Sequence, residues 1–271
     1  MCAMPLVSSL HVYPIKGCKG VALREMDLDA RGPAGDRRFM IVDERGLFVT
    51  QRDVPRLALI TAELSETTLT LRAPAAETFA LDLTLSRSER RQVQVWRSHV
   101  DALFMGAEVG RWVSNAIGLK VSLVHMDANA VRFASEAFAA PDTQVSFADG
   151  YPILLLSEAS LDHLNEQLAR ASEAPVPMNR FRPNVVVSGV EPHAEDTWTS
   201  FRVGDVTFDV VKPCERCRVT TIDQATAISS KEPLRTLATY RRRDNVITFG
   251  QNVVHRRQGT LRVGDAVELL S

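Results

Sequence analysis

Residues 57–96 read LALITAELSETTLTLRAPAAETFALDLTLSRSERRQVQVW, and this stretch decides the class of fold. Within it, residues 57–63, 68–72, 79–83 and 93–96 are short segments rich in strand-favouring side chains, separated by turn formers at short intervals. Residues 7–13 and 39–43 have the same character. The alternation is imperfect: Leu6, Ser8, Leu10 and Val12 share one parity, and Leu59, Thr61 and Glu63 the other. A small sheet closed into a barrel suits that pattern better than a doubly wound one. Residues 108–117 break the run, with Val109, Trp112, Val113 and Ala116 at helical spacing and Gly118 as a stop, and 121–126 returns to a strand.

Residues 127–150 carry little periodicity and read as a connection or active-site loop. A boundary near its start divides the chain into units of 1–125 and 126–271. Beyond it, 153–156 is a buried strand, and Ser157 caps a helix with an apolar stripe of Leu161, Leu164 and Leu168 that ends before Pro175. Strands are expected at 184–188, 207–211, 219–222, 247–254 and 266–270, with a short helix beginning near Pro233. Arg202-Val203-Gly204-Asp205 returns as Arg262-Val263-Gly264-Asp265, two strand corners with one turn chemistry. The expected class is mainly β with a few helices, that is α+β, with a barrel-like first part.

The 271 residues are 45% hydrophobic, enough for two modest cores. Lys and Arg total 32 against 33 Asp and Glu, so a net charge of -1 makes no electrostatic case for nucleic acid or an anionic membrane as the main partner. Apolar runs such as 153–156 are far too short to span a bilayer, and the N-terminus resembles no export signal. Four cysteines, Cys2, Cys18, Cys214 and Cys217, make no disulfide framework in so long a chain. A reducing cytoplasm without a membrane anchor is expected.

The chemically loaded segment is KPCERCRVTTID, residues 212–223. Its Cys-x-x-Cys pair admits a zinc knuckle, but Cys2, Cys18 and six scattered histidines form no second ligand pair. A dithiol redox motif should open a helix, whereas here a strand precedes the pair and a β-branched run follows. A third reading offers one thiolate to a soft metal, with Arg216 and Arg218 beside it to stabilise the anionic sulfur. Two buried structural thiols at a strand end is the bland alternative.

Tyr13-Pro14-Ile15-Lys16, Gly35-Asp36-Arg37-Arg38-Phe39, Phe181-Arg182-Pro183-Asn184, Cys214-Glu215-Arg216-Cys217 with Thr220-Thr221-Ile222-Asp223, and Phe249-Gly250-Gln251 together resemble the MOSC family, in particular its amidoxime-reducing branch. The resemblance covers nearly the whole chain, with an N-terminal MOSC β-barrel region followed by a MOSC β-barrel domain. It implies molybdenum held by molybdopterin, a pyranopterin dithiolene, with Cys217 as the protein's metal ligand and Cys214 as a neighbouring structural thiol. It further implies that Lys16, Arg37 and Arg182 meet the cofactor's phosphate, and that Gly17, Asn184, Arg216 and Asn252 line its site. Asn184, two residues after Arg182, is expected on the same strand face, reaching the pterin edge. Asp149 matches a position near the metal where a carboxylate relays protons, although with Gly150 it also reads as a plain turn. Thr220 and Thr221 hydrogen-bond the cofactor or merely follow β propensity. Arg241-Arg242-Arg243 docks an acidic electron-transfer protein or is a solvated helix end.

Relatives of this type often have Ser where Gly17 stands, Tyr where Asn252 stands, and a Pro-x-Thr-Gly turn where Gln224-Ala225-Thr226-Ala227 stands. The implied activity is reduction of small N-hydroxylated compounds: amidoximes, hydroxylamines and N-hydroxy nucleobases. Electrons are expected from a separate protein, a ferredoxin, flavoprotein reductase or b-type cytochrome, since no iron–sulfur cysteines follow the last strand. The alternative is a non-redox sulfur carrier or cofactor-binding protein.

Overall fold

A computed structural model describes residues 4–270; Cys2 lies outside them. Its largest sheet runs in the order Val267–Leu269, Ser200–Val203, Val206–Glu215, Val246–His255, Ile153–Ser157, Val185–Ser188, Leu6–Val12, Val21–Leu23. Neighbours are antiparallel except Ile153–Ser157 with Val185–Ser188. That parallel pair needs a crossover, which the helix Glu158–Arg170 supplies. The sheet then bends round until its ends meet: Leu6 bridges Ala266, Val7 N–H donates to the Asp265 carbonyl at 2.9 Å, and Val267 N–H donates to that of Pro5 at 2.8 Å. Closure hides the edges and encloses Leu10, Leu155, Val185, Phe208 and Val253, with the Phe201 and Phe208 rings stacked at 4.9 Å.

The first part of the chain builds a four-stranded sheet (Phe39–Val42, Ser122–His125, Ser98–Phe104, Arg90–Val95) and a three-stranded one (Thr61–Leu64, Thr68–Arg72, Phe79–Asp82). The helix Ala107–Ile117 buries Val109, Val113 and Ile117 against Leu57, Leu69, Leu71 and Leu123, and ends at Gly118 with φ 76°. Strands cross between the two parts in both directions. Leu6–Val12 belongs to the barrel, while Gly259–Arg262 leaves it to pair with Glu25–Asp29. Among the described residues no helix is long and apolar enough to cross a membrane.

Several expectations change in the structure. Residues 57–63 are not one strand: Pro55 opens a 3-10 turn over Pro55–Leu59, and pairing begins at Thr61. Residues 219–222 are not a strand either, but a 3-10 turn over Arg218–Thr221. The hydroxyls of Thr220 and Thr221 donate back to the carbonyls of Cys217 (3.0 Å) and Arg218 (2.8 Å), a local bonding option that overrides their β propensity. The strand expected at 207–211 extends over Val206–Glu215, and two register shifts against its neighbour, around Val211 and Cys214, bend its end. The strand Ser98–Phe104 escaped the sequence reading. Of the repeated corners, Gly204 makes a hairpin, whereas Gly264 carries the chain from one sheet to another. Arg241 is no solvated helix end: it is buried and paired with Asp196 at 2.6 Å, while Arg242 and Arg243 are exposed.

Ser157 caps its helix as expected, its Oγ accepting from Ser160 N–H at 3.1 Å. Buried Glu195 accepts from Ser157 Oγ at 2.9 Å and Ser160 Oγ at 2.7 Å, tying the cap to the next connection.

Gly250 has φ 75°, and a Cβ there would lie 2.4 Å from Leu156 Cδ1 and 2.7 Å from the Leu155 carbonyl. Gly250→Ala is therefore expected to cost about 3 kcal/mol or more, since backbone has to move, and a lowered urea midpoint would show it. Burial pushes His125 and His193 down to about 4 from an ordinary 6.5. Between those values the unfolded chain takes up protons that the folded chain refuses, so stability should fall as pH drops through the window and then level off for these groups. Denaturation titrations across it provide the check; a profile flat from 6.5 to 4 contradicts buried neutral imidazoles.

Candidate active site

A cleft of about 950 Å³, mouth included, opens beside the end of the Val206–Glu215 strand and is lined from both parts of the chain. Lys16, Gly17, Arg37, Asp149, Arg182, Asn184, Arg216, Cys217 and Asn252 all reach it, although they come from distant segments.

The back of the cleft is organised by Tyr13. Its ring lies between two guanidinium groups, Arg37 at 4.4 Å and Arg182 at 4.2 Å from the centroid. Burial pushes its phenol up to about 12, against the pull of both arginines, and its hydroxyl donates to the Pro183 carbonyl at 3.0 Å. Two like charges so close need a counter-charge, which buried Asp36 supplies. Its carboxylate takes Arg37 Nη1 at 2.6 Å and Tyr13 N–H at 2.8 Å. Arg182, at φ 57°, spends one N–H on the Cys18 carbonyl at 2.6 Å.

Asn184 does not sit where the strand-face reading put it. The left-handed Arg182 intervenes and the strand starts at Val185, so the two-residue periodicity fails. Its amide is fully used: Oδ1 accepts from Arg37 Nη1 (3.0 Å) and Leu154 N–H (3.2 Å), and Nδ2 donates to the His11 carbonyl and Asp36 Oδ1, both at 3.1 Å. Asn184 therefore braces Arg37, with no donor left for a ligand.

Cys217 is exposed, in extended backbone just before the 3-10 turn, while Cys214 is half-buried and burial pushes its thiol up. The arginines flanking Cys217 in sequence do not serve it. Arg216 donates Nε to the Phe249 carbonyl at 2.7 Å and Nη1 to that of Phe181 at 3.0 Å, and Arg218 donates to the Arg52 carbonyl at 3.1 Å. Peptide carbonyls left without a ladder partner, that of Phe249 opposite the register shift at Cys214 among them, claim both guanidinium groups. The cation beside the sulfur is instead Arg52, with Nη1 3.9 Å from Cys217 Sγ. Its only sequence signal was the polar run Thr50-Gln51-Arg52-Asp53, which reads as a turn.

Asp149 is more than a plain turn residue. Lys16 Nζ, itself buried, donates to its Oδ1 at 2.5 Å and to the Phe147 carbonyl at 2.8 Å, and Trp96 Nε1 donates to the same Oδ1 at 3.0 Å. The carboxylate is open to the cleft yet ringed by protein. That enclosure raises its pKa, but the Lys16 charge and the two hydrogen bonds outweigh it and hold the group below the usual carboxylate range. Arg132 fixes the loop behind it, donating to the carbonyls of Ser146 (2.9 Å), Ala148 (2.6 Å) and Asp149 (2.9 Å).

Gly17, at φ 81°, turns its carbonyl to Gln51 Nε2 at 2.6 Å, and Gln51 exchanges amide bonds with Gln224 at 3.1 and 3.0 Å. Asn252 donates to the Lys212 carbonyl at 3.2 Å. The 224–227 turn is wound on Asp223, whose Oδ1 accepts from Ala225 and Thr226 N–H, both at 2.9 Å. Among the described residues no three His, Cys, Asp or Glu side chains converge to hold a bare metal ion.

Comparison with known proteins agrees with this architecture. Residues 4–120 match the MOSC N-terminal beta barrel domain, and residues 142–268 match the MOSC domain. The chain is 36% identical to mitochondrial amidoxime-reducing component 1 of Mus musculus over 283 residues, covering 97% of this chain and 82% of that one. It is 37% identical to mitochondrial amidoxime reducing component 2 of Rattus norvegicus, covering 96% and 82%. A molybdenum cofactor sulfurase of Oryza sativa subsp. japonica is 32% identical over 90% of this chain, which spans 32% of that protein. The chain therefore belongs to the MOSC family, with an N-terminal MOSC β-barrel domain and a MOSC domain in one α+β molecule.

Proposed function

We propose that this protein binds a molybdenum–molybdopterin cofactor through Cys217 and reduces small N-hydroxylated compounds. The observation that carries the reading is one accessible soft sulfur at a cleft whose buried wall presents Lys16, Arg37 and Arg182. The donor set fits the group. A single thiolate cannot complete a metal's coordination, so the ion has to arrive with its own ligands, and a dithiolene brings two sulfurs. A phosphate tail needs clustered cations, which Tyr13, Asp36 and Asn184 hold in register. The relatives' names, amidoxime-reducing component and molybdenum cofactor sulfurase, point the same way.

When bound, the cofactor supplies the two-electron exchange by which an N–OH group, taking up two electrons and two protons, becomes N–H and water. The chain's own share is binding and proton handling. Lys16, Arg37 and Arg182 anchor the anionic end, and Gly17 and Asn252 shape the lining. Asp149 stays ionised; both of its side-chain bonds fall on Oδ1, which leaves Oδ2 to orient the proton-bearing N–OH group by accepting its hydrogen bond. We also infer a division into units of 1–125 and 126–271, laced together by the crossing strands. We further place the protein in a reducing cytoplasm, a setting that the free thiols of Cys18, Cys214 and Cys217 suit. Electrons come from a separate ferredoxin, flavoprotein reductase or b-type cytochrome.

The purified protein is expected to carry about one molybdenum atom per chain, as a single protein ligand requires. Cys217→Ala should lose the metal and amidoxime reduction with a chemical electron donor, while Cys214→Ala keeps both. Lys16→Ala or Arg182→Ala should weaken cofactor retention roughly tenfold, the worth of one charge-assisted hydrogen bond. Metal and turnover surviving in Cys217→Ala overturn the assignment; a persulfide on Cys217 without turnover indicates the sulfur-carrier role instead.

A further inference from the structure

Trp96 is the residue that neither the family reading nor the cleft lining calls for. It links Arg90–Val95 to Ser98–Phe104 in a two-residue hairpin, because Val95 pairs with Ser98. Its φ is +54°, and Arg97 is not among the positive-φ residues. A two-residue turn with positive φ at its first position alone favours glycine there, and a bulky side chain in that conformation is strained. Trp96 is also 42% exposed, so burial of apolar surface does not account for the choice.

The indole has specific work at the cleft instead. Its N–H donates to Asp149 Oδ1 at 3.0 Å, and its ring carries the Arg52 guanidinium at 4.8 Å from the centroid. The Phe48 ring packs tilted against it at 5.1 Å. Arg52 makes no ion pair among the described residues, and Asp149 pairs with Lys16. Arginine and carboxylate match as a bidentate pair wherever both can reach. Here the indole takes the guanidinium by its face and the carboxylate by its edge.

We propose that Trp96 is a positioning residue, which holds Arg52 beside Cys217 and Asp149 on Lys16 so that a cation and an anion of the cleft stand apart and free to meet a ligand. Resting on the proposed reductase reading, such a pair serves a group that carries both an acceptor and a donor, as an N-hydroxylated amidine does. Arg52 donates to its oxygen, and Asp149 accepts from its N–H or O–H.

The test begins on the full-length chain freed of cofactor, with Cys2 and Cys214 replaced by Ser so that Cys217 is the reactive thiol. Cys217 is reacted at one pH with a dianionic aromatic disulfide and with a neutral dipyridyl disulfide. The ratio of the two rates cancels the thiolate fraction and reports local charge. Arg52→Gln should lower the ratio roughly three- to fivefold, the effect of one charge about 4 Å away in water. Trp96→Gly, which suits the turn's φ, should lower it nearly as far, while Trp96→Phe, which keeps a ring face, should hold it. In the molybdenum-loaded protein, Trp96→Gly should keep the metal yet lose about tenfold in kcat/KM for an aryl amidoxime. A ratio unchanged in Trp96→Gly, or in Arg52→Gln, overturns the proposal. Absence of molybdenum from the parent protein overturns the reductase reading alone, because the rate ratio is measured without it.

Discussion

A buried carboxylate is the constraint on which the cleft depends. Asp36 is 1% exposed, a position no ionised group occupies without partners. Those partners are Arg37, next to it in sequence, and two from distant places, the Tyr13 N–H after the first barrel strand and the Asn184 amide beyond the crossover helix. Satisfying one carboxylate thus aligns the first strand, the loop before Phe39–Val42 and the start of Val185–Ser188. The same alignment brings Arg37 and Arg182 onto the two sides of the Tyr13 ring.

Above that wall, the cleft is decidedly positive although the chain as a whole is nearly neutral. Lys16, Arg37, Arg52, Arg180, Arg182 and Arg216 line it, against Asp149 and Glu215. Part of this charge is spoken for by the protein. Arg216 is spent on peptide carbonyls, and Gly250 leaves it room, since a Cβ there would lie 3.4 Å from its Nη2. Arg180 is bound to Asp223 at 3.0 Å. What remains for an anion is Lys16 with the deeper pair on Tyr13 and, by the thiol, Arg52. An ionised Asp149 in such surroundings needs no special pleading, because cations outnumber it on every side.

Elements with strong local signals were legible. The helix Ala107–Ile117 and its Gly118 stop, the Ser157 cap and the strand Ile153–Ser157 follow from periodicity and cap chemistry. One misreading fell where side chains bond back to the nearby backbone. Thr220 and Thr221 look like strand residues by type and close a 3-10 turn by their hydroxyls. Ala227, at φ 60°, occupies a left-handed position that favours glycine, which its residue type does not announce. The site residues taken from the family motifs all reach one cleft, but their duties differ: Asn184 and Arg216 brace the site, and the cation beside Cys217 comes from residue 52.

From the residues alone came the α+β class, the pairing of two β-rich parts, and a thiol attended by basic motifs, because strand period, caps and motif order are local properties that survive without coordinates. The tertiary structure alone decided that the sheet closes through Leu6 and Ala266, which cation approaches the sulfur, and that Trp96 reaches Asp149. These are contacts between segments tens to hundreds of residues apart. They depend on register, bulges and a left-handed turn, none of which leaves a periodic trace in the chain.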